Sequence, residues 1–189
     1  MRAFRLLVIL VAAYTCRCYL VSDTVIGGNA AVFDDARLTG FWKQEGKPGY
    51  LMFTRLRDRT RVVRFFEEDF TEDKEYYSVV TTRVSDATFL NARRREAMSD
   101  KVPDDAYVPA YYEFRGETLA IALFATAPFN KAIAEKKIAG IAGAKTGSYS
   151  TSPTRLTGNA EQVAKFILAG LHKPGVLEPP VLLRRVVLK

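Results

Sequence analysis

Histidine, tryptophan and cysteine are scarce in this 189-residue chain: His172 and Trp42 are single, and the two cysteines, Cys16 and Cys18, both fall within the first eighteen positions. A lone histidine leaves no His cluster for a metal and no Ser-His-Asp arrangement. Long apolar runs are also rare. One occupies residues 6–13, and no second stretch approaches the length needed to cross a bilayer. Redox pairs, thiol catalysis and helical membrane spans therefore have little to build on beyond residue 18.

What the chain does have begins with its opening. Arg2 and Arg5 precede the apolar run, Cys16 and Cys18 follow it, and the sequence turns polar at Ser22-Asp23-Thr24. A basic start followed by a short hydrophobic span is the layout of a secretory signal. The competing reading makes residues 6–14 a buried strand or helix; the extreme position and the flanking arginines favour export. A cut near Thr15 or after Cys18 satisfies small-residue rules about equally. A lipid tether through Cys16 is the other option, although Tyr14 and Thr15 are poor neighbours for acylation, and Arg17 is worse before Cys18. Removing residues 1–18 takes away three arginines and no acid, so the formal charge falls from +7 to +4 and every cysteine is lost. That argues against nucleic acid as a partner. The expected division is a signal over 1–18, a flexible leader over 19–37 and a single β-barrel-like domain over 38–189. The last is long enough for a real core.

From Leu38 onward, short segments rich in aromatic and β-branched residues alternate with turn chemistry. The spacing predicts strands opening at Gly40 and over 50–56, 61–67, 76–84, 88–92, 107–115 and 118–125, with a tight turn at Arg115-Gly116-Glu117. Such a meander is expected to close or curl strongly to protect its edges. The period then changes. Residues 128–141 read as a helix ended by Gly140 and Gly143, and Asn159 with Gln162 caps a second helix carrying Val163, Phe166, Ile167 and Leu171. Residues 181–188 read as a final strand. The fold class is mainly β, an antiparallel barrel with two late helices packed against it.

Gly40-Phe41-Trp42 at the start of the first strand resembles the Gly-x-Trp opening of lipocalin-type barrels. In that family the tryptophan plugs one barrel end and a late-strand arginine packs over it, a role that falls to Arg184 or Arg185, with Arg184 taken here. A plain core anchor is the other reading of Trp42. More broadly the chain is similar to a loose family of uncharacterised bacterial exported proteins and lipoproteins. The features that carry this are Leu38-Thr39-Gly40-Phe41-Trp42, Tyr111-Tyr112-Glu113, Lys137-Ile138-Ala139-Gly140, the helix from Asn159, Glu178-Pro179-Pro180 and Arg184-Arg185. The resemblance implies a cell-envelope location and no established activity.

Adjacent tyrosines on a strand face opposite ways, so one of Tyr76 and Tyr77, and one of Tyr111 and Tyr112, must point inward. Inward hydroxyls among apolar neighbours would line a ligand pocket; alternatively the rings, with Phe53, Phe65, Phe66, Phe114 and Phe124, fill a closed core. His172 at a helix end reads as a cap. Asp69, Glu72, Asp73 and Glu75 read as a solvated link, and Lys145-Thr146-Gly147-Ser148 lacks the setting of a phosphate loop. Arg55, Arg57, Arg59 and Arg61 read as an exposed hairpin tip, with Arg93-Arg94-Arg95 as a second basic cluster; together they offer a docking surface for anionic partners.

The expectation drawn from these residues is a non-enzymatic exported protein with no cofactor or metal, binding a small apolar ligand or lipid inside a barrel through Trp42, Tyr77, Tyr112 and Arg184. A packed envelope protein that docks through its arginines is the alternative. An enzyme comes third and would need carboxylates, such as Glu113 near Tyr111, converging in one cleft.

Overall fold

The computed structural model describes residues 19–56, 59–66, 72–94, 106–146, 149–150 and 152–187. The expected signal over 1–18, with Cys16 and Cys18, lies outside them, as do Arg57, Asp69 and Arg95.

Eight strands close into an antiparallel barrel. They are β2 (Gly40–Gln44), β3 (Tyr50–Arg55), β4 (Thr60–Phe66), β5 (Glu72–Val84), β6 (Ala87–Arg94), β7 (Val108–Arg115), β8 (Thr118–Leu123) and β13 (Val181–Val186). Neighbours pair in chain order, and β13 closes the ring by pairing with both β8 and β2. The alternation in β3 and β4 sends Leu51, Phe53, Val63 and Phe65 inward, where they join Trp42, Tyr77, Val79, Leu90, Tyr112, Leu119 and Leu183 in one core. Gly116 takes φ 62° in the β7–β8 turn, the positive φ its position predicted.

Two helices, α1 (Thr126–Ala134) and α2 (Ala160–Gly170), pack outside the barrel. Phe129, Val163, Ala164 and Ile167 meet the outward-facing Phe89 and the nearby Phe124 in a second core. Asn159 caps α2 as expected, its side chain accepting from the Gln162 amide at 2.9 Å. The first helix is shorter than its sequence suggested. Lys136 enters the left-handed region at φ 56°, so the chain turns away before Gly140, which instead lies in a short strand, β9 (Gly140–Ile141). A Cβ on Gly140 would come within 2.5 Å of the Arg155 carbonyl oxygen, so glycine serves close strand contact there and not helix termination. A small hairpin of β10 (Lys145–Thr146) and β11 (Tyr149–Ser150) follows.

The stretch from 19 to 37 is not a loose leader. Strand β1 (Leu20–Ser22) pairs in parallel with β12 (Thr154–Leu156), which also pairs with β9. Leu20, Val21 and Ile26 are buried. Asn91, itself buried on the outer face of β6, accepts from the Ile26 amide at 2.9 Å and donates to the Val80 carbonyl and the Thr82 hydroxyl. Val32 then bridges to Thr82, and a 3-10 turn over Ala36–Leu38 leads into β2. The sequence reading missed this because short polar and small residues between apolar ones (Ser22, Gly27, Gly28, Asn29) mimic a linker, although Tyr19, Leu20, Val21, Val25 and Ile26 have a substantial apolar surface to bury.

Candidate functional site

The start of β2 and the β3–β4, β5–β6 and β7–β8 turns share one end of the barrel, which the segment from Phe33 to Leu38 crosses as a floor. Trp42 lies in that floor, buried, its indole Nε1 donating to the Leu38 carbonyl at 2.7 Å. Arg185 comes down from the neighbouring strand, where it sits directly opposite Trp42, and its guanidinium lies 4.6 Å from the indole centre. The same guanidinium donates to the Thr39 carbonyl at 2.7 Å and to the Arg37 carbonyl. Gly40 makes room: its φ is 129°, and a Cβ there would meet Arg185 Nη1 at 2.9 Å.

Arg184, the arginine chosen from the sequence, does not take this role. It projects from the outer face with 73% of its side chain exposed and pairs loosely with Glu45 at 3.5 Å. The reason is parity: Leu183 faces the core, so Arg185, two residues on, shares its side and Arg184 cannot.

Beside Trp42 the floor carries a charged cluster. Arg61 is completely buried; its Nη2 donates to Asp34 and, at 2.7 Å, to the Asp35 carbonyl. Arg55 reaches Asp34 from the rim at 2.7 Å. Asp35 accepts from Arg37 through two side-chain bonds at 2.8 Å and from the Tyr112 hydroxyl at 3.0 Å. Burial pushes the Asp35 carboxyl up, but the bonds from Arg37 and Tyr112 outweigh it and leave the group below the ordinary carboxylate value. Burial, reinforced by the Asp35 charge, pushes the Tyr112 phenol well above its usual value. The Tyr112 hydroxyl is thus committed to holding the floor. Arg61, expected on an exposed hairpin tip, is instead buried, while Arg55 keeps an exposed side chain at the rim; both pair with Asp34.

Above the floor the filling thins. A cavity of about 40 Å³ lies between Leu51, Phe53, Val63, Phe65, Ala92 and Ala110, and every described side chain that lines it is apolar. That described lining offers a water no polar side chain to bond. Tyr77 stands next to it, packed edge-on against Phe65 with ring centres 6.1 Å apart. Val108 and Leu123 line the cavity and also pack against the buried cluster of Tyr19, Val21 and Ala106. The start of the described chain therefore abuts the cavity wall. Of the four residues expected to form one site, Trp42 and Tyr112 meet at the floor, where both contact the ring of Phe114. Tyr77 adjoins the cavity, and Arg184 belongs to neither.

A second depression, about 120 Å³, lies outside the barrel between β7, β8 and Leu177-Glu178. Glu113 and Glu178 both line it. Glu113 accepts from Tyr111 at 3.0 Å and from Arg115 at 2.5 Å, so this carboxylate is already engaged by two donors. Burial and the Glu113 bond push the Tyr111 phenol up to about 12.

The chain matches no protein-family model, no curated protein and no solved structure.

Proposed function

We propose that this is an exported protein whose barrel holds a slender apolar ligand, such as the hydrocarbon chain of a lipid, in the space above the Trp42 floor. The observation that carries this reading is the asymmetry of the interior. One end is sealed by an ordered plug of aromatic and ion-paired side chains, while the space above it is an apolar cavity flanked by the small side chains of Ala92 and Ala110. The cavity as it stands accepts a few methylenes, and a longer chain would require Phe53 or Phe65 to rotate aside. Export rests on the basic-then-apolar opening of residues 1–18. The resemblance of Gly40-Phe41-Trp42 to the lipocalin opening supports the same reading, since Arg185 lies over Trp42 as that resemblance requires.

The docking alternative draws less support. Arg55 and Arg61 are occupied with Asp34, and the large exposed apolar side chains among the described residues, Ile141, Leu182 and Val187, are few and lie on different strands or beyond them.

The test is calorimetric titration of decan-1-ol, a slender chain, into the wild-type protein and into Ala92→Leu, which fills the cavity with its own side chain. Uptake in the wild type that the variant loses while keeping its melting temperature supports the reading. Absence of uptake in the wild type, or equal uptake in both, overturns it.

A further inference from the structure

Arg61 has two donors without a partner. Its Nε and Nη1 are buried and make no hydrogen bond among the described residues, although the side chain is wholly inaccessible to solvent. Orphaned donors on a buried cation are costly, and native proteins seldom leave them so. The charge balance points the same way. Among the described residues of this cluster, three guanidinium groups, Arg37, Arg55 and Arg61, pair with two carboxylates, Asp34 and Asp35, one positive charge more than negative. Arg83, stacked on Phe33, and Arg185, stacked on Trp42, add to that sign.

Position links this cation to the cavity. Arg61 occupies the inward row of β4 two residues before Val63, and its direct partner across the strand pair is Val79. Both valines line the cavity, so the Arg61 backbone lies one inward position below its apolar wall, while its side chain reaches Asp34 and Asp35 and is not itself part of the lining.

We infer that Arg61 anchors the head of an amphipathic monoanion, a single-chain carboxylate whose tail lies upward in the cavity. The inference rests on the apolar-ligand reading above and specifies its ligand class. One carboxylate oxygen accepting from Nε or Nη1 supplies a charge-assisted hydrogen bond and cancels the surplus charge. An alcohol of the same length gains only the burial of its tail. A cationic amphiphile meets the floor's own sign and is excluded.

The experiment is calorimetric titration of decanoate, decan-1-ol and decylammonium into the full chain and into Arg61→Met. Asp34 keeps Arg55 when Arg61 is replaced, so the variant retains a partner for that carboxylate. Expected are decanoate binding about tenfold tighter than decanol in the wild type, a difference of about 1.4 kcal/mol, and decylammonium weakest. In Arg61→Met the decanoate advantage should vanish while decanol binding holds. Equal affinity of decanoate and decanol in the wild type overturns the anchor and leaves the apolar pocket standing. No binding of either overturns both. A decanoate preference that survives in Arg61→Met also overturns the anchor. Should that variant fail to fold, the arginine ¹⁵Nε resonances of the wild type decide: an Arg61 signal moved by decanoate but not by decanol supports the anchor, and an unmoved one refutes it. Acetate, a head without a tail, should fail to compete with decanoate; effective competition would show a simple anion site and overturn the amphiphile assignment.

Discussion

Arg185 covers Trp42 from the solvent side, its guanidinium carbon 4.6 Å from the ring centre, and bonds over the top to the backbone at Thr39 and Arg37. One exposed side chain thereby ties the last barrel strand to the floor segment that precedes the first.

Gly40→Ala should break this arrangement twice, through its positive φ and through collision with Arg185. A loss of about 1–3 kcal/mol is expected in urea unfolding. Arg185→Ala removes the collision but not the backbone strain, so the double variant should lose less than the sum of the singles. Strict additivity would show that the two residues do not act on each other.

Asp34→Ala should destabilise by about 3 kcal/mol, the lower end for removing one partner of a buried ion pair, because Arg61 stays buried and charged. Adding Arg61→Met to that background should recover a large part of the loss, as apolar filling replaces the stranded cation. Failure of the second change to restore the urea midpoint would mean that Asp34 matters for some reason other than Arg61.

The titrating groups predict a stability window. Asp35 has a folded value below its ordinary 3.8, so its contribution is present above that pH and is lost as the pH falls through the lower folded value. Tyr111, raised to about 12, behaves oppositely: its contribution is complete below the ordinary 10 and disappears as the pH climbs from 10 through 12. Tyr112 moves in the same direction. Absorbance at 295 nm should show Tyr111 and Tyr112 ionising above the ordinary phenol value of 10. Asp35→Asn, which removes the adjacent charge, should bring the Tyr112 step to lower pH; an unchanged curve would disprove that coupling.

Asn91→Leu should loosen the N-terminal segment before it weakens the barrel. Three hydrogen bonds from this one buried amide hold Ile26, Val80 and Thr82 together. A cost of about 1–3 kcal/mol follows from stranding those groups. Hydrogen exchange at the Ile26 amide should quicken more than exchange at Val63 in β4, and a uniform increase would argue against a separately docked segment.

The barrel is legible because inward and outward residues alternate in β3, because aromatic and β-branched residues mark the other strands, and because Gly116 marks a turn. The floor is not, although part of the signal is there. Leu51, Phe53 and Arg55 share one parity, as do Arg61, Val63 and Phe65, so the period that found the core also sends both arginines inward. What hides them is the missing counter-charge: a leader over 19–37 takes Asp34 and Asp35 out of the domain, and a buried arginine without a carboxylate is implausible. The choice between Arg184 and Arg185 failed for a different reason. Leu182 and Leu183 are both apolar, so sequence alone leaves the register of β13 open, and only its pairing with Trp42 fixes it.

The seam between β2 and β13 has a kinetic meaning. Residues 146 positions apart along the chain must meet there, as Arg185 and Thr39 do. Closing this seam carries the loop-closure entropy of a long-range contact, the kind of contact that slows folding in β-rich domains. Until it forms, β2 and β13 each keep an unpaired edge, and such edges recruit other chains. The ring's hazard is the interval before that seam closes.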